Sequence, residues 1–87
     1  MFYFYLLRCK DKSLYSGSTN NLKKRELLHN SGKGSKYVRS RGGGKIVYFE
    51  KFRSLKKALQ REAAVKNWPR IKKQKLISMR KKVKNKL

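Results

Sequence analysis

Residues 14–30, LYSGSTNNLKKRELLHN, decide the fold. They predict a short strand over 14–18, a polar junction at Thr19, Asn20 and Asn21, and a helix that opens at Leu22. Asn20 is the expected N-cap, because its side-chain oxygen can accept from amide hydrogens that a first helical turn leaves unpaired. At the 3.6-residue period Leu22, Arg25, Leu28 and His29 share one arc, while Leu27 points elsewhere. A charged arginine and the single histidine thus share a face with apolar partners. Taken alone, the pattern suits an amphipathic helix whose arginine reaches water along its own stem.

Upstream of this stretch, Phe2–Cys9 is an aromatic and branched run too short for a helix, and it reads as a buried strand. Lys10, Asp11 and Lys12 make a turn, and residues 13–18 return as the hairpin partner. A three-residue loop sets position 9 opposite 13 and position 5 opposite 17, so Tyr5 and Tyr15 look to the same side of the sheet. Gly17, opposite Tyr5, leaves a space over the sheet that a phenol or a ligand can fill. Tyr3, Tyr5 and Tyr15 on this reading are still ordinary strand aromatics with hydroxyls at the rim.

Downstream, residues 31–44 (SGKGSKYVRSRGGG) combine five glycines, the cations Lys33, Lys36, Arg39 and Arg41, and an exposed-looking Tyr37. A long loop is expected here, either solvated or turned toward an anion, with Tyr37 able to stack on an unpaired base. No phosphate-loop consensus ending in Gly-Lys-Ser/Thr is present, which argues against a nucleoside triphosphatase. Residues 45–51 (KIVYFEK) suit a central strand covered on both faces. Ser54 offers an N-cap for a helix over 55–67, before Pro69 stops it or starts another. Its stripe is Leu55, Ala58, Leu59, Glu62 and Val65. An inward carboxylate in a chain whose only acids are Asp11, Glu26, Glu50 and Glu62 needs a reason. It is either a salt bridge to a nearby cation or a metal ligand, since Mg2+ takes one or two carboxylates and completes its shell with water and phosphate. Residues 70–87 hold nine lysines or arginines and no acid; Ile71, Leu76, Met79, Val83 and Leu87 make them a third core helix or a basic arm.

Composition limits the function. The 87 residues fit one domain with a modest core. Lysine and arginine number 26 against 4 acids, a net charge of +22 that concentrates polyanions. Nucleic acid is the leading partner, because neutralising phosphates releases condensed counterions; anionic membrane is the second choice. Phe2 to Leu7 has no basic region ahead of it and runs into charges, so no secretory signal and no transmembrane span are expected. The lone Cys9 suits a small buried strand residue and a reducing cytoplasm.

These features together resemble the GIY-YIG nucleases, in particular their small stand-alone bacterial type. Tyr3-Phe4-Tyr5 matches the first motif, Tyr15-Ser16-Gly17 the second, and Leu22-Lys23-Lys24-Arg25 with His29-Asn30 the helix. Gly34-Ser35-Lys36-Tyr37, Val47-Tyr48-Phe49-Glu50 and Arg61-Glu62, with Val65-Lys66 after it, also match. The chain departs from the pattern with Tyr3 at the first glycine, Ser16 in place of isoleucine and Gly44 where proline is frequent. The resemblance implies an α+β fold, a small three-stranded, mainly antiparallel sheet flanked by about three helices, over residues 1–78 with a basic tail at 79–87. It further implies a cytoplasmic, monomeric DNA endonuclease of low sequence specificity, acting in DNA repair or processing, with RNA an open alternative. No membrane and no small-molecule cofactor are implied. Cleavage would use one divalent ion, Mg2+ or Mn2+, and leave a 5′ phosphate and a 3′ hydroxyl. Glu62 would hold the metal, Arg25 would stabilise the phosphate oxygens, and Tyr5 or Tyr15 would deprotonate water. His29 would orient a tyrosine or touch phosphate, while Lys33, Lys36, Tyr37, Arg39, Arg41, Lys72 and Lys73 would grip nucleic acid. A non-catalytic basic protein that keeps the fold is the alternative.

Overall fold

Tyr5 stands opposite Gly17, and Cys9 N donates to Ser13 O at 2.9 Å, as a three-residue hairpin loop requires. The computed structural model describes residues 1–82. Its elements are β1 (Phe2–Cys9), β2 (Leu14–Thr19), α1 (Leu22–Asn30), α2 (Lys36–Ser40), β3 (Gly44–Phe52), α3 (Leu55–Lys66) and α4 (Arg70–Lys82). The three strands form an antiparallel sheet in the order β2-β1-β3, an α+β architecture with four helices. No described helix is long and apolar enough to cross a membrane.

The central strand is β1, not the 45–51 run expected to hold that place. Phe4, Tyr5, Leu6 and Leu7 are each no more than 1 % exposed, because the pleat of β1 feeds two cores. Tyr5, Leu7 and Cys9 pack with Val38 and Ile46 on one face; Phe4 and Leu6 pack with Val65 and Ile77 on the other. β3 is an edge strand, and its apolar run reflects a register shift. Leu6 faces Tyr48 and Leu7 faces Ile46, so Val47 is the extra residue of a bulge. Both Val47 and Tyr48 then turn toward the α3 and α4 side.

The helix signals need three further corrections. Asn21, one residue beyond the expected Asn20, caps α1: its side chain accepts from Lys24 N at 3.0 Å. The expected long loop contains α2, which Ser35 caps by accepting from Tyr37 N and which buries Val38. In α4 the buried residue is Ile77, one turn from Lys73, whereas Ile71 and Met79 are 69 % and 63 % exposed. The predicted α4 stripe was therefore out of phase except at half-buried Leu76; Val83 and Leu87 lie outside the described residues. Ser54 caps α3 as expected, and Ala58 and Val65 carry its buried face, while Leu55 and Leu59 are about half exposed.

Candidate active site

The two strands of the hairpin and α1 meet around Tyr5. Its ring crosses above Gly17, where an added Cβ would lie 2.5 Å from the phenol oxygen; only glycine leaves room for it. The space that the hairpin register predicts is thus filled by the chain's own phenol. From the other side α1 delivers His29, 2 % exposed, whose Nε2 lies 2.9 Å from the Tyr5 hydroxyl. Gly34 closes over the imidazole, because a Cβ there would come within 2.5 Å of Nδ1. Nδ1 is buried without a hydrogen-bond partner. The hydrogen bond between the Tyr5 hydroxyl and Nε2 takes its direction from the imidazole tautomer. Burial, with Arg25 nearby, holds the His29 pKa below its ordinary value, which keeps the ring neutral near pH 7.

Around this pair stand the other residues of the predicted site. Tyr15 lies on the same face as Tyr5, with ring centroids 6.3 Å apart, and meets His29 edge-on at 5.4 Å. Burial raises the Tyr5 pKa well above that of a free phenol; Tyr15 and Glu62 push the same way, and Arg25 opposes them. That balance puts Tyr15, Arg25 and Glu62, from β2, α1 and α3, within electrostatic reach of one hydroxyl. Glu62 is half-buried, and Ser18 of β2 donates to its Oε1 at 2.6 Å. Neither described ion pair includes Glu62, so a serine hydroxyl takes the place of the salt bridge that its composition allowed.

Of the residues expected to grip nucleic acid, Lys33, Lys36 and Arg39 are exposed. Tyr37, 39 % exposed, stacks at a tilt on Tyr15 with centroids 5.8 Å apart, and the Arg41 guanidinium sits 3.8 Å above its ring. Arg41 also pairs with Asp11 at 3.2 Å. Lys72 lies over the Trp68 ring, while half-buried Lys73 donates to Lys66 O at 3.2 Å. Ser18 and Gly34, which touch Glu62 and His29, are not singled out by the sequence residue by residue. The strand alternation that put Ser18 on the α3 side and the match of Gly34 to a family motif were the signals available.

Among the described residues no three histidine, cysteine or acidic side chains gather into a metal cluster. A single carboxylate with hard oxygens, one of them already held by a hydroxyl, fits a cation such as Mg2+ that keeps most of its water and takes phosphate oxygens from the substrate. A soft-ligand zinc site does not fit, since His29 is committed to Tyr5 and Cys9 is buried in the core.

The site thus draws Tyr5 and Tyr15 from the two strands of a β-hairpin, Arg25 from the helix that follows and Glu62 from a later one. The chain belongs to the GIY-YIG family: the GIY-YIG catalytic domain matches residues 1–75. It is similar to a UPF0213 protein of Oceanobacillus iheyensis, 49 % identical over 75 residues that cover 86 % of this chain and 87 % of that one. A UPF0213 protein of Clostridium perfringens is 53 % identical over 78 residues, covering 90 % and 84 %. The solution NMR structure of the UPF0213 protein BH0048 from Bacillus halodurans matches with a TM-score of 0.56 and 42 % identity, over 91 % of this chain and 85 % of that one.

Proposed function

We propose that this protein hydrolyses phosphodiester bonds in DNA, with a single Mg2+ or Mn2+ ion bound at Glu62. The observation that carries this reading is the Tyr5 hydroxyl, which bonds to His29 and senses Tyr15, Arg25 and Glu62 together. Bound at Glu62, a divalent ion would neutralise charge that develops on the phosphate and assist the leaving oxygen. Arg25 donates to the non-bridging oxygens, for which its planar fork suits better than an ammonium. We assign water deprotonation to Tyr15, which is half-buried and lines an open cleft, whereas Tyr5 is 1 % exposed and burial keeps its phenol protonated. Tyr5 then acts through His29, holding the imidazole against Tyr15. Sequence specificity is low on this reading, because phosphate contacts fix register and carry no base information. A role in repairing or processing DNA follows from that activity.

The test is a supercoiled-plasmid assay with Mg2+ or Mn2+, with and without chelator, run beside Arg25→Ala and Glu62→Gln. Wild-type protein should nick or linearise the plasmid only with metal. Each variant should cut at least about 100-fold more slowly and still retard DNA in a gel, since the net charge of +22 dominates affinity. Undiminished cleavage by Glu62→Gln would refute the assignment. Tight DNA binding without any metal-dependent cutting by the wild type would instead identify a non-catalytic nucleic-acid-binding protein that keeps the fold.

A further inference from the structure

Beyond Tyr15, the proposed base, the outer edge of β2 opens into a cleft of about 470 Å3 whose far walls carry no role in the proposed chemistry. Tyr15 and Ser16 of β2 form one wall, Ser35 and Tyr37 at the start of α2 a second, and Lys66 and Lys73 a third. The volume is that of a small-ligand pocket. No acid lines it, and neither described ion pair includes Lys66 or Lys73. Lys73 is half-buried, its ammonium donates to a backbone carbonyl, and among the described residues its remaining two protons meet no anion. Desolvation lowers its pKa, so an anion in the cleft would restore the charge that burial disfavours.

Ser16 supplies an independent observation. It is 5 % exposed, and its hydroxyl has no hydrogen-bond partner in the fold. Ser16 lines the cleft together with two lysines, a polar lining that suits an oxygen-rich anion better than an apolar occupant.

We propose that the cleft is a phosphate subsite, in which Lys66 and Lys73 hold the phosphate of the nucleotide next to the one being cut, against the wall that Ser16 shares with Tyr15. The identity of the ligand as a nucleic-acid phosphate rests on the nuclease reading; the anion site itself rests on the cleft. Because Tyr15 belongs both to the wall of the cleft and to the Tyr5–His29 cluster, a phosphate seated here fixes the strand beside the proposed base.

Amide NMR of the full chain, titrated without metal with thymidine 5′-monophosphate and in parallel with thymidine, tests this. The amides of Ser16, Ser35 and Tyr37 should shift saturably with the nucleotide and not with the nucleoside. Lys73→Met should weaken binding about tenfold or more, the effect of losing a charge-assisted hydrogen bond. Lys73→Arg should retain most of it, and Lys56→Met, an exposed lysine on α3, should change nothing. Equal shifts with thymidine, shifts that spread over exposed lysines without saturating, or unweakened binding by folded Lys73→Met would each overturn the subsite. Nucleotide binding in the cleft by a protein that leaves plasmid intact would sink the nuclease reading alone.

Discussion

At the scale of single residues, the Tyr5–His29 pair links folding to acid. The histidine is buried, and burial together with Arg25 lowers its pKa in the folded chain. Unfolded, it titrates near ~6.5. In acid the unfolded chain therefore binds a proton more readily than the native one, so stability is full above that value and is lost as pH falls toward and through the folded pKa. The expected outcome is a melting temperature that declines between pH 7.5 and pH 5 in the wild type and declines less in His29→Gln, compared by calorimetry. Being the chain's only histidine, His29 makes this window easy to isolate. Parallel curves for the two proteins would mean that protonation costs the fold nothing.

Between elements, the least expected feature is how α1 closes the edge of β3. Asn30 accepts from Gly44 N at 2.9 Å and donates to Gly44 O at 2.8 Å, so one amide side chain imitates a neighbouring strand. One turn earlier, Glu26 accepts from Ile46 N at 2.7 Å. An edge strand with unpaired amides is a template for association, and here two helix residues occupy that edge next to the bulge at Val47. Asn30→Ala should lower stability by about 0.5–1.5 kcal/mol, the net worth of a hydrogen bond that water can replace. In hydrogen exchange it should speed the Gly44 amide selectively; unchanged protection would show that the clasp is dispensable. Nothing in the order of residues announces this clasp. The hairpin register was legible because a turn of known length fixes which residues face each other, and with it the shared face of Tyr5 and Tyr15. Strand order was not legible, since two apolar runs, at 2–9 and 45–51, compete for the centre and the winner depends on which edge α1 can cover. α2 was hidden because glycines flank a single turn whose only core anchor is Val38. Glu62 stood out from its helical phase among few acids, but Ser18, its partner across 44 positions, required the fold.

For the molecule as a whole, charge sets the manner of binding. Twenty-six cations face four acids, and the described acids are already engaged: Asp11 with Arg41, Glu26 with Ile46 N, Glu50 with Arg61 and Tyr48, and Glu62 with Ser18. Little of the positive field is cancelled internally, so affinity for duplex DNA should come mainly from counterion release and fall steeply with salt, by about 0.9 in log K per phosphate for each decade. The individual cations should not count equally. Lys33 and Arg39 are exposed, and replacing either by alanine should reduce the salt slope by about one. Arg41 differs, because Asp11 pairs with it and Tyr37 lies beneath it, so a phosphate would have to displace contacts it already makes. Arg41→Ala should then leave the slope nearly unchanged while loosening Tyr37, which stacks on Tyr15. Fluorescence anisotropy of a labelled duplex across 50–300 mM salt measures all three slopes; an Arg41→Ala slope reduced as much as that of Lys33→Ala would mean that the Asp11 contact yields to DNA and that Arg41 is a phosphate ligand after all.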